Sequence, residues 1–117
     1  MNLLIITGSL TKDPELKKTQ NGVSVVSGTI AVQRAFKDRN GEKGVDFIDF
    51  VAWDKKAEYL SDYARKGDRL EISGRLESRK YVDRDNQEKN VWECIVENVT
   101  SFNKREPIDQ SNDDLPF

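Results

Sequence analysis

The chain has 117 residues, 36% of them hydrophobic and 34% charged, with a net charge of −2, which bounds it to one domain with a modest core and a largely ionic surface. No run approaches the ~20 apolar residues of a membrane span. The absence of histidine and the single cysteine, Cys94, remove the usual proton shuttle, the commonest metal ligand and any internal disulfide, and fit a reducing compartment.

The charge is unevenly spread. Residues 1–103 hold 17 Lys or Arg and 17 Asp or Glu, so the excess negative charge belongs to residues 104–117. A neutral body is not the signature of a polyanion binder, and any such role must rest on local clustering of cations. The start, Met1 to Gly8, carries no basic leader and its apolar run is too short for a signal peptide, so a cytoplasmic protein is expected.

Taken in chain order, Leu3–Thr7 is a continuous apolar run of the length of a buried strand. Lys12-Asp13-Pro14-Glu15 reads as a turn, and Asn21-Gly22 as a hairpin signal between Leu16–Thr19 and the next strand. Ser24–Arg34 alternates, with Val26, Ile30 and Val32 sharing one face with Gly28, and Ser27, Thr29, Ala31 and Gln33 the other. Asn40-Gly41 marks a second hairpin turn inside the charged loop Lys37–Lys43. Asp46–Trp53 alternates again, Ile48, Phe50 and Ala52 against Phe47, Asp49, Val51 and Trp53. Asp54–Lys66 is the one helical segment, with Asp54 as its expected cap, Gly67 as its stop and an apolar edge of Ala57, Leu60 and Ala64. Arg69–Tyr81 is a long strand, with Leu70, Ile72, Gly74 and Leu76 expected inward and Arg75, Arg79 and Tyr81 outward. Asp83–Lys89 is a polar turn and Asn90–Phe102 the last strand.

Five strands with one helix between the third and fourth match an all-β, five-stranded Greek-key barrel, the oligonucleotide/oligosaccharide-binding (OB) fold, although pattern alone also admits another small barrel. Gly28 and Gly74 sit mid-strand, where small barrels bend sharply. The periodicity stops after residue 103. Residues 1–103 are therefore expected to form the barrel, and 104–117 a short disordered acidic tail.

That tail closes on Asp113-Asp114-Leu115-Pro116-Phe117. Two carboxylates, a Pro-stiffened backbone and a terminal aromatic make a peptide that a partner can read by an apolar pocket and basic clamps. A frayed, idle terminus is the alternative.

Unpaired nucleic acid offers two handles, phosphate charge and flat base faces, so a binder needs exposed aromatics interleaved with Lys and Arg. The outward positions supply both. Phe47 and Trp53 share one face of the third strand; Tyr81 shares a face with Arg75 and Arg79. Phe36 borders a hairpin carrying Arg34, Lys37 and Arg39. Arg84 lies in the hairpin after Tyr81, and Lys55 at the helix start. Each has a plainer reading. Phe47 and Trp53 fit under a loop or a partner subunit, and Arg75 and Arg79 fit as ion-pair partners of Glu71, Glu77 or Glu93.

Several segments resemble the bacterial-type, or bacteriophage-encoded, single-stranded DNA-binding proteins. They are Leu10-Thr11-Lys12-Asp13-Pro14-Glu15-Leu16, Asn21-Gly22, Ala31-Val32-Gln33-Arg34, Asp46 to Trp53, Arg65-Lys66-Gly67-Asp68, Ser73-Gly74-Arg75-Leu76 and Arg79-Lys80-Tyr81, in family order. The Asp-Asp-Leu-Pro-Phe end looks like that family's acidic tip. The resemblance implies a homotetramer of OB barrels that wraps single-stranded DNA, with base-stacking aromatics at Phe36, Phe47, Trp53 and Tyr81. It also implies a tip that recruits replication, recombination and repair proteins, and a place on the nucleoid. Five positions depart from the pattern. Ser9 stands where a basic residue is usual, and Phe36 and Phe47 where some members carry Trp. Asn90 replaces a frequent aromatic and Trp92 a frequent small Thr. Trp92 reads as an extra platform or an interface residue, with packing favoured. The linker is short, as in a minimal or phage-encoded version.

The expected function is sequence-tolerant binding of single-stranded DNA, with no cofactor and no metal. The rival is an OB-fold replisome or primosome adaptor working through protein contacts, which the neutral body favours. An enzyme is disfavoured: there is no His, no phosphate-cradling Gly loop, and Cys94 sits among apolar neighbours as a core residue would.

Overall fold

The computed structural model describes residues 1–103. The chain forms β1 (Leu4–Leu10), β2 (Lys17–Lys18), β3 (Ser24–Lys37), β4 (Lys43–Trp53), α1 (Asp54–Tyr63), β5 (Arg69–Val82) and β6 (Glu88–Ser101). Strand order runs β1-β5-β6-β4-β3, and β1 also pairs with β3, which closes a five-stranded barrel; β2 is a two-residue extension on β3. The OB architecture expected from the pattern is therefore present. The Asn21-Gly22 hairpin lies where the sequence put it, with Gly22 at a φ of 79° and Lys17 and Lys18 opposite Val25 and Ser24.

The core follows strand parity. Val26 and Ile30 of β3, Phe50 and Ala52 of β4, Leu70 and Ile72 of β5, and Cys94 and Val96 of β6 are buried together. Ala57, Leu60 and Ala64 fill one end of the barrel from the helix, which packs on β3, β4 and β6. Both mid-strand glycines sit at close approaches. A Cβ on Gly74 would lie 1.9 Å from the Ile95 carbonyl oxygen, and one on Gly28 2.6 Å from the Phe50 ring. The β5–β6 register shifts beside Gly74: Ser73 faces Asn98, Gly74 faces Val96, and Glu97 is the extra residue of a bulge that bends the sheet.

Three expectations are corrected. The Leu3–Thr7 run is not buried on both faces: Ile6 turns inward, whereas Leu3 and Ile5 are exposed, because a barrel strand has only one interior face. Leu76 is also exposed. It lies past Gly74, the last β5 residue opposite β1, so the barrel wall has already ended.

The third correction concerns α1, which stops at Tyr63 rather than Lys66. Its cap is Trp53 in extended backbone, with no side-chain cap bond, and Asp54 lies inside the first turn at a φ of 55°. Residues after Ala64 are drawn into a tighter turn. Asp68 Oδ2 accepts from the Arg65 backbone N–H at 3.0 Å, Asp13 Oδ1 from Lys66 N–H at 2.8 Å, and the Leu10 carbonyl from Gly67 N–H at 2.8 Å. These bonds, two of them to β1 and its turn, outcompete the last helical turn.

Because β4 and β6 run parallel, the β3–β4 and β5–β6 hairpins project as two arms from the same end of the barrel, opposite the helix. Both tips are braced alike. Asp38 Oδ1 accepts from the backbone N–H of Asn40 and Glu42, and Asp83 Oδ1 from those of Asp85 and Gln87.

Candidate functional site

Pairing of β4, β5 and β6 builds one outward-facing groove. The parallel register sets Asp49 beside Glu93 and Val51 beside Ile95, and the antiparallel one sets Arg75 opposite Ile95 and Glu77 opposite Glu93. Trp53, Arg75 and Arg79 therefore converge on a groove completed by Val25, Ser27, Val51, Glu77, Glu93 and Ile95. A second groove, lined by Lys12, Thr29, Asp49 and Val91, shares Ser27, Arg79 and Glu93 with the first, so the two run into each other. Thr29 Oγ1 donates to Asp49 Oδ1 at 2.8 Å, fixing the carboxylate on this floor.

The four rings singled out in the sequence are solvent-accessible in the chain: Phe36 86%, Phe47 67%, Tyr81 42% and Trp53 41% exposed. Trp53 is held at the β4–α1 junction, opposite Val25. Tyr81 lies near the tip of the β5–β6 arm, opposite Lys89. Phe36 lies beyond Gln33, where the β3–β4 register becomes irregular.

The arginines are not idle. Arg34 grips Asp46 with two hydrogen bonds, Nε to Oδ2 at 3.1 Å and an NH2 donor to Oδ1 at 2.8 Å. The pairing holds the Asp46 carboxyl below its ordinary range, chiefly through that hydrogen bond, and raises the Arg34 guanidinium. Arg75 donates to Glu77, which raises its pKa, and has Glu97 at 3.6 Å. Arg79 Nε donates to Glu93 Oε1 at 3.0 Å. Two of the carboxylates read from sequence as alternative partners, Glu77 and Glu93, thus hold Arg75 and Arg79. A phosphate that meets any of the three guanidiniums has a resident carboxylate to displace.

Of the residues nominated by sequence, Trp53, Arg75 and Arg79 are brought together in the groove. Phe36, Lys37 and Arg39, with Arg34, occupy the β3–β4 arm and its tip; Tyr81 and Arg84 occupy the other arm. Lys55 falls elsewhere, in a separate groove with Lys18, Ser24, Lys56 and Glu58. Asp113, Asp114, Leu115, Pro116 and Phe117 lie outside the described residues. Lys12 was missed as a groove residue; its place in the first turn gave no sign that the turn folds beside β6. Trp92, expected to pack, is exposed.

A closed OB-type barrel with a ring-and-cation groove on its outer wall defines a binding module. The chain belongs to the single-strand binding protein family, whose family model matches residues 1–102. It is 43% identical over 105 residues to the single-stranded DNA-binding protein of Bacillus cereus, covering 90% of this chain and 62% of that one. It is 39% identical over 110 residues to that of Enterococcus faecalis, covering 94% and 58%. Against single-stranded DNA-binding protein 1 of Staphylococcus aureus strain MSSA476 it is 36% identical over 113 residues, covering 97% and 72%. The chain thus spans about three fifths of the length of the Bacillus and Enterococcus relatives.

Proposed function

We propose that this chain binds single-stranded DNA with little regard to sequence. The observation that carries the reading is the convergence of Trp53, Arg75 and Arg79 on one groove, with Phe47 exposed on the barrel wall opposite Ala31 and two arms that present Phe36 and Tyr81 to solvent. Stacking on π-faces tolerates every base, and guanidiniums meet the phosphates between them. The names of the Bacillus, Enterococcus and Staphylococcus relatives support the same ligand.

Residues 1–103 form the binding domain in this reading, and Asp113–Phe117 recruit replication, recombination and repair proteins to the coated strand. The chain assembles into a homotetramer, with the exposed Leu3 and Ile5 of the β1 region as one contact between copies. It acts in the cytoplasm, on unpaired DNA at the nucleoid.

Titration with fluorescein-labelled oligothymidylate, with a duplex as competitor, tests the reading. Saturable binding to the single strand is expected, log affinity falling with log salt by about 0.7 per phosphate neutralised, and the duplex competing poorly. Trp53→Ala weakens binding about five- to hundredfold, the range found for base stacking in single-strand binders of this kind. Failure of the single strand to bind at low salt overturns the proposal and favours an adaptor working through protein contacts. Deleting Asp113–Phe117 leaves DNA affinity equal or higher and abolishes partner recruitment; a truncated chain that still recruits partners refutes the role given to the tip. Light scattering with and without a long oligonucleotide reads the subunit number.

A further inference from the structure

Trp92 is set apart by the way β6 leaves the barrel. Along β6, pairing with β4 covers only Glu93 to Ile95. Beyond Glu93, towards the tip of the arm, β5 is the one strand partner of β6 among the described residues, and no strand pairs with its other edge there. Trp92 is the first residue past that point. Parity puts it on the same face as Cys94, the face that lines the barrel interior. Cys94 is sealed, whereas the indole is 60% exposed. Ser78 stands directly opposite and is too small to cover a bicyclic ring.

The surroundings of the ring suit a base. On its own face the neighbouring rungs carry Leu76 and Lys80 on β5 and Asn90 and Cys94 on β6, with no carboxylate among them. The nearest acid on that face of the arm is Glu88, 4.0 Å from Lys80 Nζ and two rungs from Trp92. The opposite face of the same arm carries Arg79 and Glu93, which line the groove. Glu93 and Trp92 are consecutive on β6, ~3.3 Å apart along the strand, and face opposite sides, so the groove and the indole are joined around one edge of the same ribbon. Among the described residues no strand pairs along the edge between them.

We infer that Trp92 is a fifth stacking platform for unpaired nucleobases, taking the bound strand from the outer groove around the open edge of β6 onto the inner face of the β5–β6 arm. The inference rests on the single-strand binding proposed above. Continuity with the groove and the adjacent Lys80 favour nucleic acid over a second protein surface, whose apolar contacts would be interrupted at Lys80 and Asn90 before Val82.

The chain has two tryptophans, so Trp53→Phe leaves Trp92 as the only indole reporter and Trp92→Phe leaves Trp53. Each full-length variant is titrated to saturation with short and long oligothymidylate, its fold checked by circular dichroism. Trp53 emission is expected to be quenched by both lengths, and Trp92 emission by the long one alone, because only a long strand spans the groove and the edge. Trp92→Ala should weaken long-oligomer binding about five- to hundredfold, with little change for the short one. Quenching of Trp53 with Trp92 unmoved overturns the fifth platform and leaves the groove intact. No response and no binding in either variant removes the single-strand reading itself. Trp92 emission that shifts blue with protein concentration in the absence of DNA assigns the ring to contact between copies and overturns the inference.

Discussion

Glu93 is the residue whose alteration separates a binding groove from an ordinary charged surface. Its carboxylate accepts from Arg79 Nε at 3.0 Å, and the Glu93 side chain is 11% exposed against 60% for Arg79. Exposed pairs contribute about 0.2–1 kcal/mol, and the covered carboxylate puts this one near the top of that range, at about 1 kcal/mol. A phosphate must displace that carboxylate to reach Arg79. Glu93→Gln keeps the volume and one acceptor oxygen while removing the competing charge. Single-strand affinity should therefore rise about fivefold, since ~1.4 kcal/mol is a factor of ten. The salt slope should steepen by up to about 0.7, the share of one additional phosphate, because the freed acid no longer takes up a cation. Fluorescence anisotropy with labelled oligothymidylate at four salt concentrations measures both. Arg79→Gln should lose affinity, and the double variant should show no gain over Arg79→Gln alone, since the benefit of removing the acid passes through the guanidinium. Unchanged or weaker binding by a folded Glu93→Gln protein, or an equal gain in the double variant, refutes the competition.

Three further outcomes are expected. Gly74→Ala drives a methyl into the Ile95 carbonyl oxygen at 1.9 Å and should cost about 3 kcal/mol, the upper end for overpacking, because backbone rather than a side chain must move; urea unfolding reads it, and a loss below about 1 kcal/mol contradicts the close approach. Cys94 is fully buried, and burial, with a smaller contribution from Glu97, pushes its thiol up, so a thiol reagent at pH 8 should leave it untouched in the native chain and label it fully in denaturant. Because Arg34 holds Asp46 below its ordinary value of 3.8, the folded carboxyl binds its proton more weakly than the unfolded one. The pair's contribution is thus complete above about pH 4 and is lost as pH falls through the depressed value. Carboxyl carbon titration by NMR should give a midpoint under 3.8 that Arg34→Gln restores to the ordinary range.

Much of this fold is legible because it depends on parity and punctuation. The alternation of Asp46–Trp53 placed Phe50 and Ala52 inside and Phe47 and Trp53 outside, and Gly28 and Gly74 marked two close mid-strand approaches. What escaped reading depends on where pairing stops. Leu76 and Trp92 have the parity of core residues, yet both lie past the last pairing with a neighbouring strand, Leu76 past the last β5 residue paired with β1 and Trp92 past the last β6 residue paired with β4. The helix overran by three residues because Asp13 and Asp68, far apart in sequence, claim backbone donors that local propensity assigns to α1. The acids beside the arginines were visible as candidates. Selecting Glu93 for Arg79 requires the β5–β6 register, and a bulge at Glu97 shifts that register by one residue.

The aspartate braces at the two hairpin tips have a consequence for how this molecule can vary. Asp38 and Asp83 each close their own turn through backbone donors within four residues, so neither tip borrows stability from the body. An arm can then be trimmed or extended in matched even steps, which preserve side-chain facing, while the wall beneath it stays unaltered. Reach over a ligand and integrity of the scaffold become separately adjustable properties, open to change at different rates in related chains and independently in the hands of an engineer.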